Sequence, residues 1–339
     1  MAFEPGVHEL KQEISDLQSR LQNAKSRLAG VSPHDSETQS QSQSISSPIP
    51  PLPAGMLSLY RRILQELFLA WHYTDLLCFI TPDTLSPATT HALLLLSDSA
   101  LPLGSFAYSS GLESYVAHNK PLPRSTTPVA SFHRFLRLSL ASMGSLSLPY
   151  VLAAYRDPAE LETLDNDLDA STPCPVAQRA SIAQGRALLG VWERAFRNAY
   201  ASHSSDNVTE NSGLQEGIMA VENFSETLKC SMDDELGPKG HFAPLWGVVC
   251  LAMGMDARQT AYVFMLNHAK AVLSAAVRAS VMGPYQAQSV LASKNLQDMI
   301  AERIDRDWDT AVEDAGQVVP PLDLWVGRHE LLYSRIFNS

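Results

Sequence analysis

Cysteine is scarce in this chain. Cys78, Cys174, Cys230 and Cys250 are the whole complement, and no two of them form a CxxC pair. A disulfide-stapled secreted module or a thiolate zinc site needs more thiols, set closer together, so a reducing, cytoplasmic setting is expected. Cations of the kind that read phosphates are also missing. Lys and Arg number 25 against 36 Asp and Glu, a formal charge of -11, and they nowhere cluster. Neutralising a nucleic-acid backbone takes concentrated positive charge, so nucleic acid is not an expected partner. No run approaches the roughly 18 apolar residues of a membrane span, and the chain opens on acidic and polar residues in place of a basic patch and apolar run. Neither a membrane anchor nor a secretory signal is expected.

Catalytic signatures are absent too. There is no G-x-S-x-G elbow and no G-x-x-x-x-G-K-[ST] loop, which removes the common serine hydrolases and the P-loop nucleotide enzymes. The ten histidines, at 8, 34, 72, 91, 118, 133, 203, 241, 268 and 329, stand apart from one another. One helix face offering two ligands to one ion is therefore not expected, nor is a metal cage made by this chain alone. Two acidic groups, Asp165, Asp167, Asp169 and Asp233, Asp234, Glu235, hold enough carboxylate for a magnesium-dependent all-α enzyme. Both lie in polar excursions where no packed helix is expected to orient them.

What is present is apolar material, 45% of the residues, at helical spacing. Val7, Leu10, Ile14, Leu17, Leu21, Ala24 and Leu28 recur every three or four residues, an a/d seam that predicts a short helix over 1–30, either a coiled coil or a merely amphipathic helix. Residues 31–55 are dominated by Ser, Gln and Pro and read as a disordered linker. The segment 56–87 is an N-terminal extension; its apolar run from Leu57 to Ile80 is broken by Arg61, Arg62, Glu66, His72 and Asp75, which favours a surface-packed helix over a membrane anchor. From 88 to 339 the pattern predicts an all-α helical bundle, with helices over 89–97, 110–118, 129–143, 145–156, 178–200, 243–254, 257–281, 284–305 and 322–334. No alternating strand pattern competes. The acidic stretches 157–178 and 202–240 interrupt this pattern and are expected to be solvated loops, the second of them a polar insertion.

One local motif stands out, Leu101-Pro102-Leu103-Gly104-Ser105-Phe106-Ala107-Tyr108-Ser109-Ser110-Gly111-Leu112-Glu113. Pro102 ends the preceding helix, Gly104 permits a turn, and Ser110 with Glu113 reads as a capping box for the next helix. Phe106 and Tyr108 inside the turn either lock it onto the bundle or present it to a partner. With Leu93–Ala100 before it and Ser114–Val116 after it, this segment resembles the opening motif of the UreF family of urease accessory proteins. Ala180–Arg186 resembles that family's central block, Gly240–Gly247 its GHxP block, and Arg328–Ser339 its C-terminal tail, all in family order.

The resemblance implies an all-helical homodimer that is not itself an enzyme. Such a protein binds the accessory protein called D or H (UreD/UreH), and the pair recruits the nickel GTPase UreG onto apo-urease. It implies no cofactor of its own, nickel being handled by the assembled complex. By the same analogy the partner contacts are Phe106, Tyr108, Ser109, Glu113, Arg278, Gln286, Arg328, His329, Glu330, Arg335 and Phe337, with His329 beside the nickel route. Two other readings stand next to it: a metallochaperone that itself holds nickel through His or Cys, and the magnesium-dependent helical enzyme.

Overall fold

The computed structural model describes residues 87–201, 212–231 and 237–338. The heptad helix, the Ser/Gln/Pro linker, the extension up to residue 86 and the trio Asp233, Asp234, Glu235 lie outside them. Among the described residues every regular element is helical and no strand occurs. In chain order they are α1 (Pro87–Ser97), α2 (Leu112–His118), α3 (Pro128–Leu146), α4 (Leu148–Arg156), α5 (Leu161–Ser171) and α6 (Pro175–Val191). Then come α7 (Arg197–Ala201), α8 (Ser212–Cys230), α9 (Phe242–Ala252), α10 (Ala257–Arg278), α11 (Pro284–Leu291), α12 (Lys294–Asp307) and α13 (Pro320–Arg328).

The bundle is built around α9. Its sequence carries no charge, and every residue except Phe242 and Leu251 is buried, as expected of a helix that is apolar on all sides. It packs against α4, α8, α6, α10 and α5. Gly247 makes the closest of these contacts possible, since a Cβ there would lie 2.2 Å from the Val151 carbonyl oxygen of α4. Burial pushes the Cys250 thiol of α9 well up, leaving it a small apolar filler and not a nucleophile.

Local signals fix most helix starts. Thr127 accepts from the Ala130 N–H with Pro128 at the first helical position, and Asp256 and Gln259 close a reciprocal capping box on α10. The predicted helix over 284–305 is two helices. Ser293 stops the first and caps the second by accepting from the Leu296 N–H at 3.2 Å.

Three further expectations are corrected. The stretch 157–178 contains α5, whose Leu161, Leu164 and Leu168 are buried, and 202–240 contains α8, which buries Ile218, Val221 and Phe224 against α9. Most of their acids occupy the outer faces of packed helices, Asp165 being buried. The consecutive helices α3 and α4 over Pro128–Arg156 are long and apolar enough to cross a membrane by length and composition, although 61% of their most apolar window is buried inside the protein.

Candidate interaction surface

The turn before α2 depends on left-handed backbone. Gly104 has φ 71°, Ser110 φ 51° and Gly111 φ 85°, conformations that a side chain at 104 or 111 would strain. The capping box expected of Ser110 does not form. Ser109, fully buried, accepts from the Glu113 N–H instead, at 3.3 Å. The Glu113 carboxylate is thereby free for another task. Its Oε1 accepts from the Ile336 N–H at 2.8 Å and its Oε2 from the Phe337 N–H at 3.2 Å.

The C-terminal tail is thus folded back onto the turn, and further bonds complete the attachment. His329 Nε2 donates to the Phe337 carbonyl at 2.9 Å, and the Asn338 N–H donates to the Ala107 carbonyl at 2.8 Å. Arg278, at the end of α10, donates to the Phe106 carbonyl and stands 4.4 Å over the Phe337 ring. The Phe337 ring is buried. His329 is fully buried, and its Nδ1, with no hydrogen-bond partner, lies 3.7 Å from Glu113 Oε2.

This scaffold holds large apolar side chains in water. Phe106 is 68% exposed, Leu331 77%, Ile336 60%, and Tyr333 is fully exposed. Arg328 and Arg335 are exposed as well. Glu330 pairs with Arg179 of α6 at 2.6 Å, and that guanidinium holds the Glu330 carboxyl below its ordinary range.

The central and GHxP blocks meet elsewhere, in the interior. The buried Asp165 accepts the N–H groups of Lys239 at 2.6 Å, Gly240 at 3.0 Å and His241 at 2.5 Å. His241 Nε2 lies 2.9 Å from Asp169 Oδ1 and its Nδ1 3.1 Å from Ser181 Oγ, which also accepts from the Phe242 N–H at 3.2 Å. Gly185 lets α6 sit on this turn, where a Cβ would lie 2.2 Å from the Gly240 carbonyl oxygen. The acids read from sequence as free chelators at 165 and 169 are therefore committed to backbone and imidazole.

Between these two regions lie two cavities of about 170 and 160 Å3 that share Tyr108, Ser110, Gln184, Phe242, Phe264 and His268 as walls. Ser105 donates to Gln184 at 2.8 Å, joining the opening motif to the central block. His268 bonds Ser139 at 2.7 Å, and burial drives its imidazole down to about 4, so it is neutral at physiological pH.

Comparison with known proteins decides what this arrangement belongs to. A family profile described as UreF matches residues 127–294. An uncharacterized urease accessory protein UreF-like of Schizosaccharomyces pombe is 36% identical over 75% of this chain and 99% of its own length. The chain belongs to the UreF family. The rice urease accessory protein F is 34% identical over 71% of the chain and 82% of its own, and UreF of Actinobacillus pleuropneumoniae is 25% identical over 73% and 98%.

Against that UreF identity, the eleven residues expected to meet partners divide by depth. Phe106, Arg278, Gln286, Arg328, Glu330 and Arg335 are exposed, and Tyr108 and Glu113 are half-buried. Ser109, His329 and Phe337 are buried in the isolated chain. They fasten the turn and tail that carry the exposed residues. His329 also lines neither cavity. Sequence reasoning passed over Asp165, Asp169 and Ser181 as members of one network. The i, i+4 spacing of Asp165 and Asp169 on a single helix was the available signal.

Proposed function

We propose that this UreF-family chain is a non-catalytic assembly factor that presents its loop-and-tail surface to a D/H-type accessory protein during urease maturation. The pair then brings the G-type GTPase to apo-urease. In this reading the chain works as a cytoplasmic homodimer, and nickel is cargo of the assembled complex and not a resident cofactor. The observation that carries it is the exposure of Phe106 on the turn and of Leu331, Tyr333 and Ile336 on the tail, two segments fastened together by Glu113, Arg278 and His329. Large apolar and aromatic side chains held rigid in water are the usual anchors of a protein interface. The relatives' names, urease accessory proteins, point to the same process.

The metallochaperone alternative finds less support. Among the described residues no group of three or more His, Cys, Asp and Glu is placed to hold an ion. The magnesium-enzyme reading is weakened by the commitment of Asp165 and Asp169 to their own network.

Complementation tests the proposal. A urease-positive host deleted for its own UreF is given this chain with or without residues 1–87 and assayed for urease at limiting nickel. Recovery is expected. Failure of both forms, with the proteins folded and bound to the host's accessory proteins, would overturn it.

A further inference from the structure

The charge carried by the loop-and-tail surface is opposite in sign to that of the whole chain. The protein has a formal charge of -11. Around the patch stand Arg179, Arg278, Arg328 and Arg335, against Glu113 and Glu330. Glu330 is neutralised by Arg179, and Glu113 is turned inward to two backbone N–H groups. Arg278 spends its donors on the Phe106 carbonyl and its face on Phe337. Arg328 and Arg335 are exposed, and among the described residues neither forms a salt bridge within 4 Å of a carboxylate, although Arg335 joins Arg179 in holding the Glu330 carboxyl down. On an acidic protein these two cations stand without a close carboxylate beside the exposed apolar residues of the tail.

We propose that the partner surface meeting this patch is an apolar face with a carboxylate rim, placed to meet Arg328 and Arg335. This rests on the reading that a D/H-type protein docks here, and it adds the chemistry by which that protein is recognised. A local cationic patch facing a local anionic one favours a single orientation of approach, which raises the association rate and suppresses wrong approaches. The apolar centre then governs how long the complex lasts, because burial acts mainly on dissociation.

The test is the kinetics of full-length chain binding to its purified D/H-type partner between low and high salt. The association rate is expected to fall about tenfold as screening shortens the reach of the charges. Arg328→Glu with Arg335→Glu is expected to slow association about tenfold at low salt, to flatten the salt dependence, and to leave the thermal midpoint unchanged. A charge-matched reversal on α12, Lys294→Glu with Arg306→Glu, separates a local effect from the change in net charge and is expected to have a small effect. Leu331→Ser with Tyr333→Ser is expected to speed dissociation without altering the salt slope. Association that ignores both salt and the arginine reversal, or that responds equally to the α12 reversal, overturns this inference and leaves the docking reading standing. Absence of association under every condition overturns both.

Discussion

The opening motif with the tail, and the central block with the GHxP block, are built from the same residue types: Gly in left-handed or close-packed positions, Ser, an aromatic, His and a carboxylate. Yet one pair makes a surface and the other a buried fastening. At Glu113 the carboxylate grips a tail that buries Phe337 and leaves Leu331, Tyr333 and Ile336 in water. At Asp165 it grips a turn whose next residues begin the most buried helix of the protein. The difference lies in the residues that flank the gripped backbone. Local chemistry does not separate the two cases.

That contrast can be broken by substitution, and the largest effect is expected at Gly185. Gly185→Val places a side chain against the backbone at 240–242, and a loss of about 4 kcal/mol or more is expected in urea denaturation. Asp165→Ala leaves three N–H groups without their acceptor, two of them buried, and is expected to cost about 3 kcal/mol by the same measurement. A comparable figure is expected from pH. His268 has its folded value lowered to about 4, below the ordinary 6.5, so below 6.5 the unfolded chain takes up a proton that the folded chain refuses. Its contribution is complete above pH 6.5 and fades as pH falls towards 4, by about 3 kcal/mol in all. Denaturation at pH 7.5 and 4.5, with His268→Leu as the variant that loses this term, measures it.

The surface responds differently. Glu113→Ala releases the two tail N–H groups and is expected to cost only about 1–2 kcal/mol, while weakening partner capture at least tenfold. Leu331→Ser with Tyr333→Ser should leave stability within about 0.5 kcal/mol of the parent, because neither side chain is packed. A loss of stability there comparable with that of Asp165→Ala would erase the distinction between surface and fastening.

Most of the helical bundle was legible because a buried face leaves a 3.6-residue stripe in the sequence. The stripe fails where the outer face is very acidic. Leu161, Leu164 and Leu168 of α5 mark a clear seam, but the acids between them lower the apolar density to that of a loop. It fails again at Ser293, where one polar residue caps a new helix within an unbroken apolar pattern. The candidate surface was legible in outline only. Of the residues that the resemblance points to, Phe106, Arg328 and Arg335 are exposed, whereas Ser109, His329 and Phe337 are buried. Depth at those positions is set by the tail folding back onto residues 223 positions earlier in the chain, and no short-range pattern encodes such a contact.

The grip of Asp165 on residues 239–241 bears on how this protein can vary in length. The chain between α8 and α9 is re-anchored by three backbone hydrogen bonds immediately before the central helix begins. Length changes upstream of Lys239 would therefore meet this anchor before they reach α9, and closing a longer loop costs little more than closing a short one. A tag or reporter inserted ahead of the anchor is expected to leave α9 in place, which would let the protein be labelled while it works.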